Sequence, residues 1–146
     1  MSLIIVERIE PTTFAEVGEF LHEEWAAFDR AHWGGSAQWE KTRHLLRAVV
    51  AGQTAAVADF YVVGGVAHMS GIIVGRSWRG QGIGAQLMAR FEEMARTMGC
   101  HKLSLRTAKN SPAIRFYRRL GYEVEAKMVN HYHGLTFFQL VKFLMP

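Results

Sequence analysis

The run Arg79-Gly80-Gln81-Gly82-Ile83-Gly84 stands between a segment of small and β-branched residues, Met69–Val74, and a stretch of helical periodicity from about Gly82 to Met98. This arrangement predicts a strand that turns directly into a helix. Ile83, Leu87, Phe91, Met94 and Met98 recur at three- and four-residue spacing and form the predicted buried stripe, and Gly99 falls where a left-handed C-cap is wanted. The first amides of a helix are unpaired and its dipole is positive at that end. Glycines there let an anion approach the backbone without obstruction by Cβ. On the glycine pattern alone, a connection built only for tight turning stays equally open.

Two phosphate-binding patterns compete for this turn. A Walker-type loop needs Gly-Lys-Ser/Thr at its end, and here Gly84 is followed by Ala85-Gln86. Gly80, Gly82 and Ala85 do satisfy the dinucleotide fingerprint with its permitted final alanine, and Arg106 could serve a 2′-phosphate. That fingerprint usually follows the first strand of a parallel sheet, whereas a three-strand meander is predicted before this turn. The dinucleotide reading is kept as a minor alternative.

Charge is divided along the chain. Residues 1–75 carry five Lys/Arg against nine Asp/Glu, and residues 76–146 carry twelve against four, so the half that holds the glycine turn is basic. A basic half suits a polyphosphate cofactor, a nucleic acid or simply a solvated face. There is no apolar run near the roughly 18 residues a membrane helix requires, and the N-terminus has no basic segment followed by a long apolar one. A single cysteine, Cys100, allows no intrachain disulfide and suits a reducing compartment. At 146 residues with 49% hydrophobic composition, one domain over residues 1–146 is expected, with a cytoplasmic location.

The remaining elements follow from local pattern. Leu3–Ile9 reads as a first strand, and Thr13-Phe14-Ala15-Glu16 as a capping box opening a helix whose buried stripe is Phe14, Val17, Leu21, Trp25 and Phe28. A loop over Asp29–Ser36 leads to a short helix around Trp39–Leu46. From Leu46 to Val74, turns at Gly52-Gln53 and Gly64-Gly65 separate three strands of an antiparallel meander. Lys102–Thr107 is the next strand. A helix then begins at Pro112, carries Ala113, Phe116, Tyr117 and Leu120 on its face and ends at Gly121, and strands over Glu123–Val129 and Leu135–Phe143 complete the chain.

Two motifs in this order resemble the GNAT superfamily of N-acetyltransferases. Its Arg/Gln-x-x-Gly-x-Gly/Ala hallmark is matched by Arg79, Gly82 and Gly84. Its Asn-x-x-Ala-x-x-x-Tyr-x-x-x-Gly-Phe/Tyr motif is matched by Asn110, Ala113, Tyr117, Gly121 and Tyr122. The resemblance implies an α/β (α+β) fold: a mixed, mostly antiparallel seven-stranded sheet with about four helices, splayed between strands four and five, here Ala67–Val74 and Lys102–Thr107. It further implies that acetyl-CoA is the acyl donor. The backbone N–H groups of Gln81, Gly82, Ile83, Gly84 and Ala85 would bind its pyrophosphate, with Arg79 and Gly80 of the same turn also at the cofactor. Backbone groups of Ile72, Ile73 and Val74 would pair with its pantetheine amides, and Asn110 would contact it near the opening of the splay.

Amide formation from a thioester requires a neutral amine, and an alkylamine ordinarily titrates near pH 10.4, so a proton acceptor is needed. Several members of the family carry a carboxylate on the fourth strand; His68 falls at about that place and is the candidate base, a structural histidine being the competing reading. Tyr117 stands where the family places the phenol that protonates the CoA sulfur, although it also lies on its helix's apolar stripe. A backbone N–H near Ile73 would hold the oxyanion.

Cys100, behind Gly99 at a helix-to-strand corner, reads as a buried inert thiol. His131 and His133 lack a third ligand, so no metal is expected, and they read as flanking the acceptor. Glu23, Glu24 and Asp29, interleaved with Trp25, His32 and Trp33, suit either a cationic amine or an ordinary helix face. The acceptor is expected to be a small-molecule or protein amine, with a homodimer possible by family habit. A non-catalytic acyl-CoA-binding module is the alternative. Nucleic-acid binding, for which Arg115, Arg118 and Arg119 argue, leaves the glycine turn unexplained, so neither a nucleic acid nor a membrane is the expected partner.

Overall fold

The computed structural model describes residues 2–35 and 37–145, which fall into two compact units, 1–38 and 39–146. In the first unit, residues 3–9 take no regular secondary structure and Leu3, Ile4, Ile5 and Val6 are exposed, contrary to the expected first strand. A strand needs a partner for its backbone groups, and an apolar composition does not supply one. A 3₁₀ turn over Pro11–Val17 then leads into α1, Gly18–Trp33. The expected capping box does not form. The Thr13 hydroxyl instead donates to the Glu10 carbonyl at 2.8 Å, and no side chain caps α1. The stripe predicted as buried is open as well, with Phe14, Leu21, Trp25 and Phe28 all exposed.

The second unit is built on one six-stranded sheet of order β1-β2-β3-β4-β6-β5. Its strands are β1 (Thr42–Val50), β2 (Gln53–Val63), β3 (Val66–Val74), β4 (Lys102–Ala108), β5 (Glu123–Met128) and β6 (Phe137–Phe143). Two helices accompany it, α2 (Ile83–Thr97) and α3 (Ala113–Arg119). Among the described residues there are thus six strands and three α-helices, where seven and about four were expected. The helix expected around Trp39–Leu46 is instead the start of β1. Its Thr42–Ala48 stretch pairs antiparallel with Val62–Ala56 of β2, and long-range pairing overrides an ambiguous local pattern.

The sheet is mixed. All its pairings are antiparallel except β3 with β4, which is parallel and restricted to Val66–Met69 against Lys102–Leu105. Beyond that point β3 stays with β2 as far as Val74 and β4 stays with β6 as far as Ala108. The two strands therefore part, as expected for the strands numbered four and five by resemblance.

One face of the sheet is the core. Phe60, Met69, Leu103, Leu105 and Leu140 pack there with Met88 and Phe91 of α2, and the Phe60 and Phe91 rings meet edge-on at 4.8 Å. An aromatic pair of this kind is worth about 0.5–1.5 kcal/mol beyond its buried area. The stripe of α2 is close to expectation: Ile83, Leu87, Met88, Phe91 and Ala95 are buried, whereas Met98 is exposed. Gly99 takes φ +77° and ends the helix, with the Cys100 amide reaching back to the Ala95 carbonyl at 2.9 Å.

Candidate functional site

Where β3 leaves β4 it also carries a bulge. Phe60 pairs with Met69 and Asp59 with Gly71, which leaves Ser70 unpaired. The extra residue shifts the side-chain phase by one. Without it Gly71 and Ile73 would share the face of Met69. With it Ile72 and Val74 turn to the core side, opposite Ala58 and Ala56, and Ile73 points outward with 65% of its surface exposed. Ile72 and Val74 thus form one wall of a groove of about 550 Å³ beside the N-terminus of α2.

Gly80, Gly82, Ile83, Gly84 and Ala85 form the groove's other wall, and Arg79 and Arg119 stand at it. Gly82, the N-cap of α2, has φ +80°, a conformation that favours glycine, and no side chain caps the helix. Its opening amides are therefore free to receive an anion, and no carboxylate lies among the groove's lining residues. The Arg79 Nε donates to the Val74 carbonyl at 3.1 Å, tying the turn to the strand end. A Cβ on Gly84 would come within 3.4 Å of the Phe116 ring, so the first turn of α2 packs closely on α3.

Tyr117, on α3, lines the same groove and is otherwise buried. Burial pushes its phenol above the usual value, so it remains protonated at physiological pH. Of the residues expected at the cofactor, Ile73, Gln81 and Asn110 are not among those lining the groove. Ile73 faces outward by its place after the bulge, while Gln81 and Asn110 are exposed in turns. Trp78, Ala113, Phe116 and Arg119 line it without having been expected there. Arg119 was read only as part of a basic cluster; its position two residues before the closing glycine of the tyrosine motif was the available signal.

The opposite face of the sheet holds a second, polar cleft of about 400 Å³, lined by Tyr61, His68, Ser70, Arg106, Tyr132 and Phe137 with Met69. His68 and Ser104 are register partners, and His68 Nδ1 lies 2.7 Å from the Ser104 hydroxyl. The imidazole also packs on Tyr61 at 5.0 Å. Desolvation, followed by the charges of Arg106 and Lys41, holds its pKa below the ordinary 6.5, so His68 is neutral at physiological pH. When Nδ1 carries the proton and donates to Ser104, Nε2 holds a free lone pair.

Across the cleft Arg106 Nη1 donates to the Tyr132 hydroxyl at 3.1 Å and Nε to Gln139 Oε1 at 3.4 Å. Ser104 and Arg106 were not expected here. With Lys102 they alternate with Leu103 and Leu105 in Lys102–Ala108, a period-two signal for a second, polar face. The His131 ring lies tilted against Tyr132, with ring centroids 4.2 Å apart, and so flanks the cleft. Cys100 is buried, and burial raises its thiol pKa. Among the described residues no group of three potential metal ligands occurs, and no helix is long and apolar enough to cross a membrane.

The acetyltransferase (GNAT) family pattern matches residues 7–122. The chain belongs to this family, a class of acetyl-CoA-dependent acyltransferases. A glucosamine 6-phosphate N-acetyltransferase from Trypanosoma brucei brucei is 31% identical over 64 residues, which cover 44% of this chain and 42% of that protein. The chain thus matches less than half the length of that relative.

Solved structures show the same fold. An acetyltransferase from Bacillus cereus ATCC 14579 superposes with a TM-score of 0.71 at 21% identity, over 94% of this chain and 98% of its own. The ribosomal-protein-S18-alanine N-acetyltransferase from Escherichia coli does so with a TM-score of 0.65 at 22% identity, over 71% and 70%.

Proposed function

We propose that the protein transfers an acetyl group from acetyl-CoA to a primary amine by direct attack in a ternary complex. The observation that carries this reading is the parting of β3 from β4 after Met69 and Leu105, with a groove for a polyphosphate on one face and a polar cleft on the other. The pyrophosphate rests on the opening amides of α2, with Arg79 and Arg119 adding charge. The pantetheine arm runs along Ile72 and Val74, whose strand neighbour has moved away, and the thioester reaches the splay. Family membership supports acetyl-CoA as the donor. The relative named above, a glucosamine 6-phosphate N-acetyltransferase, supports a small primary amine as acceptor.

His68 takes a proton from the incoming amine, directly or through one water, as the new C–N bond forms at the thioester carbon. The C–S bond then breaks, and Tyr117 gives its phenolic proton to the departing thiolate. The neutral imidazole and the protonated phenol are the ionisation states these roles require. Free-thiol release from acetyl-CoA over a panel of amines tests the reading. Amine-dependent release, with acetylated amine as product, is expected. Acetyl-CoA binding with no release above the uncatalysed rate would instead make the protein a non-catalytic acyl-CoA module.

A further inference from the structure

The cleft around His68 is cationic and has no acid to balance it. Three other cations of the sheet are matched: Arg43 by Asp59 at 2.8 Å, Lys102 by Glu125 at 2.7 Å and Lys142 by Glu92 at 2.9 Å. Arg106, inside the cleft, reaches only the neutral Gln139 and Tyr132, and among the described residues it forms no ion pair. The nearby Gln139 amide donates to Glu125 at 2.9 Å, but that carboxylate is already paired with Lys102. Lys41 places its ammonium 4.3 Å from the centroid of the Tyr61 ring, on the cleft's other flank. No carboxylate is among the cleft's lining residues.

Two unbalanced cations beside a cleft of this size suit a ligand that brings its own negative charge. Arg106 offers a planar fork of donors, and Tyr132, which accepts from Arg106, keeps its own O–H to donate. We infer that the acceptor is an amine bearing an anionic group, a phosphate or a carboxylate, held by Arg106 and Tyr132 with Lys41 nearby, so that its amino group faces His68. This rests on the acetyl-transfer reading and names the substrate class of its site.

The same field aids the chemistry, because neighbouring positive charge disfavours the ammonium form and so increases the neutral amine that attacks. It also disfavours polycationic acceptors. The cleft thus differs in charge from the acidic and aromatic residues of the first helix, which suit either a cationic amine or an ordinary helix face.

The test compares matched acceptors: glucosamine 6-phosphate with glucosamine, β-alanine with its amide, and spermidine as a polycation. Each is titrated calorimetrically into the full-length protein with CoA present, and each is assayed for CoA release with acetyl-CoA, in wild type and Arg106→Gln. Binding of one anionic member at least tenfold tighter than its neutral counterpart is expected, with the same ordering in kcat/KM. Arg106→Gln should bring that ratio towards one, mainly through KM. The phosphate and carboxylate pairs distinguish which anion the site takes.

Anionic amines that bind no better than their counterparts, or a preference for glucosamine or spermidine, would overturn the inference while leaving acetyl transfer intact. Arg106-dependent binding of an anionic amine without turnover would sink acetyl transfer and leave anion recognition standing.

Discussion

His68 Nδ1 and the Ser104 hydroxyl lie 2.7 Å apart across the short parallel pairing of β3 with β4, one register step before the two strands separate. The bond fixes the imidazole at the mouth of the splay, on the face opposite the glycine turn. A structural histidine would satisfy its ring nitrogen in the same way, so the rate of a His68 variant distinguishes the two readings.

Replacing the base is the first prediction. His68→Ala should lower kcat by about 10²–10⁴-fold, the usual range for a positioned general base, with little change in acetyl-CoA affinity. With His68 as the proposed base, the active form is the neutral imidazole, whose pKa is lowered. The rate should therefore fall only as pH drops below about 6.5, and that acid limb should vanish in the variant. Initial rates from pH 5 to 9 check this.

Stability carries a sign of its own. The folded state holds His68 below its unfolded pKa of 6.5, so at low pH the unfolded chain binds the proton more readily. The contribution of His68 is full above about 6.5 and is lost as pH falls from there through the folded pKa. Wild type should lose more stability than His68→Gln between pH 7 and 5, as measured by urea denaturation.

Tyr117→Phe retains the ring that packs against Phe116 and Tyr122 at 5.1 and 6.0 Å and removes only the phenol. With the phenol as general acid, kcat should fall by about 10²-fold or more, with acetyl-CoA affinity within about twofold. An unchanged rate at saturating acetyl-CoA would remove Tyr117 from the chemistry.

Lys142 donates to both Glu92 oxygens at 2.9 and 3.1 Å and to the Leu120 carbonyl at 2.8 Å, linking β6 to α2 and to the end of α3. Lys142→Met leaves Glu92 and that carbonyl without their donor and should cost about 1–3 kcal/mol in denaturant unfolding. Acetyl-CoA affinity, set at the other end of α2, should change little.

The glycine turn and the body of α2 were legible because local physics decides them. Free helix-start amides, a helical apolar stripe and Gly99 at a C-cap are written in neighbouring residues. Leu3–Ile9 and Trp39–Leu46 were misread because strand formation depends on a distant partner, which β2 provides from Thr42 onward and which, among the described residues, residues 3–9 lack. The outward direction of the Ile73 side chain was not legible, because the bulge at Ser70 inverts the alternation after Met69. Arg106 meets His68 only through the register of β3 with β4, so its proposed role could not be read from either segment alone.

The central claim is that the α2 N-terminus holds the pyrophosphate of acetyl-CoA, and calorimetric titration of wild type and Gly82→Val with acetyl-CoA, CoA and NADPH tests it most directly. No atom lies within 4 Å of a Cβ built on Gly82, so the substitution acts through its φ of +80° and not through a clash. The left-handed conformation costs a side-chain-bearing residue about 1–2 kcal/mol. The account predicts that both CoA forms bind wild type, that Gly82→Val weakens both by about fivefold or more, and that NADPH does not bind. Absence of CoA binding, or equal binding by wild type and variant, would contradict it.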